Sequence, residues 1–144
     1  MSNEIYGFVK ACNVRINDIV PMEDSPFKVR DDKEMKKLVE SIRQFGVLES
    51  LMVRETHNAF NELKYEIVSG NRRYEACRQL GIIYVPVRIV RMMKDAAIIA
   101  MIDSNLCHRE SILPSGKAAA YKMRFEAMNR QGYRTDLETD ATSY

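Results

Sequence analysis

No apolar run in this 144-residue chain approaches the roughly 20 residues that a membrane-spanning helix needs. The reading is therefore of a protein with no membrane partner. The opening Met1-Ser2-Asn3-Glu4 lacks the basic and apolar regions of a secretory signal. Cysteine is scarce: Cys12, Cys77 and Cys107 are odd in number and show no metal-ligand spacing, which fits a reducing cytoplasm. Histidine is scarcer still, and His57 and His108 share no spacing with one another. The formal charge of +2 is too small to argue nucleic-acid binding by itself. No internal repeat is evident. What remains is one domain, long enough to bury a core, with room for a small appendage.

The charge that is present is local. Lys64 to Arg91 carries six basic and two acidic side chains, whereas Asp136 to Asp140 is acidic. Within the basic stretch, Tyr65-Glu66-Ile67-Val68 reads as a strand ending at Ser69-Gly70. A helix follows at once, with Tyr74, Cys77 and Leu80 at helical spacing and Gly81 as its stop. Val85 to Val90 reads as the next strand. A glycine between strand and helix allows a tight turn and leaves the first helical N–H groups free to face a ligand. Arg72 and Arg73 then sit in the first helical turn, where the positive end of the helix dipole disfavours cations. A bound phosphate would reverse that penalty. The alternative is that both arginines cover solvent-facing surface or pair with acidic side chains.

The rest of the chain organises around this unit. Residues 1–13 show little pattern and are expected to form a loose leader. Val14, Ile16, Ile19 and Val20 suggest a short strand with a turn at Pro21. Asp31-Asp32 can cap a helix running to about Phe45, with Met35, Leu38, Val39 and Ile42 as its apolar stripe and Gly46 as its end. Leu51 to Arg54 reads as a strand and His57 to Leu63 as a polar hairpin loop. Asp95 opens a helix whose Ala96, Ile99, Ala100 and Ile102 are apolar. Pro114-Ser115 starts a last helix, expected to end at Gly132, with 133–144 disordered.

The order strand, Ser-Gly-Asn-Arg-Arg-Tyr-Glu-Ala, helix, Leu-Gly, Val-Pro-Val resembles the ParB/sulfiredoxin superfamily. More narrowly, it is similar to the N-terminal domain of ParB-type partitioning proteins. The similarity also takes in Ile19-Val20-Pro21, Pro26-Phe27-Lys28-Val29-Arg30, Gly46-Val47-Leu48, Asp103-Ser104-Asn105-Leu106, Arg109-Glu110 and Leu113-Pro114-Ser115. It implies an α+β fold: a small mixed sheet with flanking helices over 14–112. Residues 113–132 would be the first helix of a linker or of a truncated helix-turn-helix domain. Ala118, Ala119, Tyr121, Lys122, Phe125 and Met128 give that helix apolar and basic positions. It would pack on a partner copy or fold back onto its own domain.

The resemblance also implies a site for CTP with Mg²⁺. Arg30 would reach a phosphate or the base edge, and Gly70, Asn71, Arg72 and Arg73 would hold phosphates. Asn105, Arg109 and Glu110 would complete the site, with Asn105 and Glu110 toward the metal. Ser104 stands where the family carries a glutamate, and Asn105 to Arg109 is one residue longer than the family spacing. Because Mg²⁺ prefers a carboxylate among its hard oxygen ligands, hydrolysis is not expected to follow from binding. Arg78, Arg88, Arg91, Lys117 and Lys122 are candidates for contact with DNA phosphates.

Two enzyme readings use the same fold. Sulfiredoxins carry a cysteine at the strand-to-helix turn where this chain has Asn71, and an amide cannot act as that nucleophile. A nuclease would need acidic residues around a metal, and Asp31, Asp32, Asp103 and Glu110 are the candidates. The reading adopted is a DNA-partitioning module that binds nucleotide, DNA and neighbouring copies at the nucleoid or on a plasmid. A ParA-type ATPase is a further partner implied by the resemblance, although Met1 to Lys10 is not the basic segment the family uses for it.

Overall fold

The computed structural model describes residues 7–23, 25–108 and 114–142, excluding the side chains of 107–108, 114–115 and 132–142. Residues 1–92 and 93–144 form two compact units. In the first, strands β1 (Gly7–Arg15), β2 (Ile19–Val20), β3 (Leu51–His57), β4 (Leu63–Ser69) and β5 (Tyr84–Arg91) build one mixed sheet in the order β1-β5-β3-β4-β2. The β1/β5 and β3/β4 pairs are antiparallel, and β5/β3 and β4/β2 are parallel. Pro86 is tolerated in an inner strand because pairing between β5 and β3 begins one residue later, at Val87.

One face of this sheet carries the core. Alternate residues Leu51, Val53, Ile67, Val85, Val87 and Ile89 are buried with Met35 and Ile42 of helix α1 (Lys33–Phe45) and with Ala76 and Cys77 of helix α2 (Asn71–Gln79). Met35, Leu38, Val39 and Ile42 recur at three- and four-residue spacing, and all four pack into that core. Asp32 caps α1 by accepting the Met35 N–H at 2.9 Å.

The second unit is a helix pair, α3 (Lys94–His108) and α4 (Pro114–Thr142). Among the described residues, Ala97, Ile98, Met101 and Ile102 are the buried apolar positions of α3, and Ala120 and Ala127 those of α4. Small residues at the buried positions of α4 let helices approach closely, and ion pairs join them. Arg124 reaches Asp103 at 2.7 Å, and Arg130 reaches the buried Asp95 at 2.8 Å. The last helix therefore covers one of its faces within the chain, while Tyr121, Phe125 and Met128 stay exposed.

Two expectations are corrected. The loose leader over 1–13 gives way at Gly7 to β1, which pairs along its length with β5. Its pattern was faint because it is an edge strand, with most of its residues exposed. Gly132 does not end α4, nor are 133–142 without structure, since the helical backbone continues to Thr142. A glycine inside a helix costs only about 1 kcal/mol relative to alanine and need not stop it. Of the apolar residues read on α3, Ile102 is buried while Ala96, Ile99 and Ala100 are partly exposed.

Candidate functional site: the turn between β4 and α2

The turn is built on Gly70, whose φ of +113° lies in the left-handed region. A Cβ there would stand 2.9 Å from Leu51 Cγ, so both backbone conformation and packing require glycine. The N-cap position of the helix that follows is Gly70 itself, which has no side chain with which to cap it. Its first intrahelical bond is donated by Tyr74 N–H to Gly70 O at 2.9 Å, which leaves the N–H groups of Asn71, Arg72 and Arg73 outside the helix's own ladder. A helix N-terminus with this geometry favours an anion.

The two arginines take different directions. Arg73 folds back under the turn and donates through Nη1 to the carbonyls of Glu49 at 2.8 Å and Ser50 at 2.6 Å. These are the residues leading into β3, so Arg73 ties the entrance of one strand to the exit of its neighbour. Arg72 turns toward the start of α1, where its Nη2 lies 3.8 Å from Asp32 Oδ1. Arg30 is exposed and acts on the same carboxylate. The Met35 N–H chiefly, and then the positive charges of Arg72 and Arg30, hold the Asp32 carboxyl below its ordinary value against an opposing desolvation effect.

Gly70, Asn71 and Arg72 thus stand at the start of α2, with Arg72 reaching the start of α1 and Arg73 as the brace, and Arg30 precedes the α1 cap Asp32 by two residues. The sequence offers Asp32 as a helix cap and as one of the nuclease acids; its contact with Arg72 depends on a residue 40 positions away. Asn105 lies in the second unit, on α3, where its side-chain amide donates to the Met101 carbonyl at 2.7 Å. Arg109 and Glu110 lie outside the described residues.

The DNA-contact candidates differ among themselves. Arg78 pairs with Glu75 at 3.1 Å, and Arg88 lies over the Phe8 ring at 5.5 Å. Arg91, Lys117 and Lys122 are exposed. Cys77 is fully buried, and that burial pushes its thiol up, away from the reactive thiolate. The structure thus gives a sulfiredoxin-like role no nucleophile at this turn. Among the described residues, no group of three or more His, Cys, Asp or Glu could hold a metal ion. Asp103, one of the acids proposed for a nuclease, is paired with Arg124 at 2.7 Å.

Residues 4–106 match the family model described as the ParB N-terminal domain. The chain is 35% identical over 109 residues to the probable chromosome-partitioning protein ParB of Mycobacterium leprae, covering 76% of this chain and 32% of that protein. It therefore spans about a third of that relative's length. Among solved structures it is similar to the C-terminally truncated chromosome-partitioning protein ParB from Caulobacter crescentus complexed with CTP-γ-S. There the identity is 25%, the TM-score 0.61, and the coverage 84% of this chain and 66% of that one. The fold is also shared with sulfiredoxin from Arabidopsis thaliana, with a TM-score of 0.52 and 24% identity over 65% of this chain and 98% of that one.

Proposed function

The chain belongs to the ParB N-terminal domain family, and from that premise we propose that it is the nucleotide-binding and assembly module of a DNA-partitioning protein. Its ligand would be a nucleoside triphosphate of the CTP type, held at the β4–α2 turn. The observation that carries this reading is the N-terminus of α2, with glycine at its N-cap, Arg72 beside it, and Arg72 and Arg30 both acting on the Asp32 carboxylate. The similarity to a ParB complexed with CTP-γ-S supports it. In this reading the N–H groups of Asn71 to Arg73 and the Arg72 guanidinium receive phosphate oxygens. Arg73 keeps the turn in shape through its two carbonyl contacts. Mg²⁺, when bound, would neutralise part of the triphosphate charge.

Neighbouring copies would meet through the exposed Tyr121, Phe125 and Met128 of α4. DNA phosphates would be met by exposed basic residues such as Arg88, Arg91, Lys117 and Lys122, and the protein would act in the cytoplasm at the nucleoid or on a plasmid. A ParA-type ATPase is proposed as a further partner on the family's account alone. No helix among the described residues is long and apolar enough to cross a membrane.

Calorimetric titration with the four nucleoside triphosphates and Mg²⁺ tests the reading. Selective CTP binding that is lost in Arg72→Ala is expected. If no triphosphate binds, the nucleotide role is withdrawn, and the turn is better read as a contact for DNA or protein.

A further inference from the structure

We propose that Asp32 is a built-in competitor for the phosphate ligand: its carboxylate holds the Arg72 guanidinium that an incoming phosphate must take. The proposal rests on the reading of the β4–α2 turn as a triphosphate site.

The geometry is that of a replaceable contact. Arg72 Nη2 stands 3.8 Å from Asp32 Oδ1, longer than a hydrogen bond, and both side chains are substantially exposed. Ion pairs of this kind contribute little to folding. A phosphate, by contrast, can take a guanidinium through two short parallel hydrogen bonds and carries more charge. Arg72 therefore exchanges a loose partner for a tight one when the ligand arrives. Asp32 Oδ1 also accepts the Met35 N–H at 2.9 Å, so the displaced carboxylate still has a partner at the start of α1. The exchange touches the first turn of α1 directly, because one oxygen serves both contacts.

A carboxylate beside a triphosphate invites a different assignment, as a ligand for the accompanying Mg²⁺. The surroundings of Asp32 argue against it. This carboxylate already accepts a backbone N–H and lies under the positive charges of Arg72 and Arg30, a field that repels a dication. No metal-holding group of His, Cys, Asp or Glu is present among the described residues to offset that repulsion.

Asp32→Asn is the decisive variant, since asparagine caps a helix as well as aspartate and the fold is kept while the charge is removed. Inorganic tripolyphosphate and CTP, each with and without Mg²⁺, are titrated calorimetrically into the wild-type chain, Asp32→Asn, Arg72→Ala and the double variant. Freeing the Arg72 guanidinium from one screened competing charge is expected to tighten binding by about three- to tenfold. The gain should appear with both probes and vanish in the Arg72→Ala background. Equal or weaker binding by Asp32→Asn overturns the competitor role. So does a loss confined to the Mg²⁺-containing titrations, which would make Asp32 a metal ligand. Selective CTP binding of equal strength in wild type and Asp32→Asn overturns the competitor alone. Tripolyphosphate binding that tightens in Asp32→Asn without preference for any nucleotide sustains the competitor and overturns the CTP reading. Failure of both probes to bind either protein overturns both.

Discussion

At the scale of single residues, Arg72 and Arg73 are consecutive yet carry separable duties, and substitution should separate them. Arg73→Ala removes two hydrogen bonds to the carbonyls of Glu49 and Ser50 and should destabilise the fold by about 1–2 kcal/mol in urea unfolding. Arg72→Ala should leave unfolding within about 0.5 kcal/mol of wild type, since its ion pair is long and partly exposed, while removing anion binding. Gly70→Ala combines a left-handed φ with a 2.9 Å approach to Leu51 Cγ. It should cost about 2–3 kcal/mol on the same measurement. The glycine and the arginine pair were legible from the sequence because strand, turn and helix follow one another without interruption. The division between the two arginines was not, because their partners come from Glu49, Ser50 and Asp32, more than 20 residues earlier.

Among the elements, the β3–β4 pair holds an ion pair whose energetics can be isolated. Arg54 and Glu66 stand opposite one another in register and meet at 2.9 Å, with side chains only 17% and 10% exposed. Arg54→Ala leaves the Glu66 charge without that partner and should cost about 2–4 kcal/mol in chemical denaturation. Arg54→Met with Glu66→Leu should recover most of that loss, because the desolvation of both charges is then removed. The start of α1 should respond to pH. The folded Asp32 carboxyl lies below its ordinary 3.8, so the cap's contribution is complete above that value and is lost as pH falls through the folded one. Weakened protection of the Met35 amide in acid, measured by hydrogen exchange, is the expected sign. The helix itself was readable in the sequence, with its cap and stripe both local. β1 was not, since an edge strand buries few residues and its alternation is correspondingly weak.

For the molecule as a whole, the α4 face of Tyr121, Phe125 and Met128 is the feature most exposed to test. If copies meet there, Phe125→Glu should shift sedimentation toward the smaller species, and unchanged behaviour would remove that face from the assembly account. The start of the helix could be read in the sequence, but not which residues it buries: Ala118 and Ala119, named there, are exposed. Ala120 and Ala127 are buried rather than the larger side chains, a choice made by close helix approach and by Asp103 and Asp95 reaching across to Arg124 and Arg130. The central claim concerns the β4–α2 turn, and it is tested most directly by following the backbone amides of the ¹⁵N-labelled chain during titration with CTP and Mg²⁺. The account predicts saturable shifts centred on Asn71, Arg72 and Arg73, with a smaller response at Met35. Shifts elsewhere with none at the turn, or no shifts at all, would contradict it.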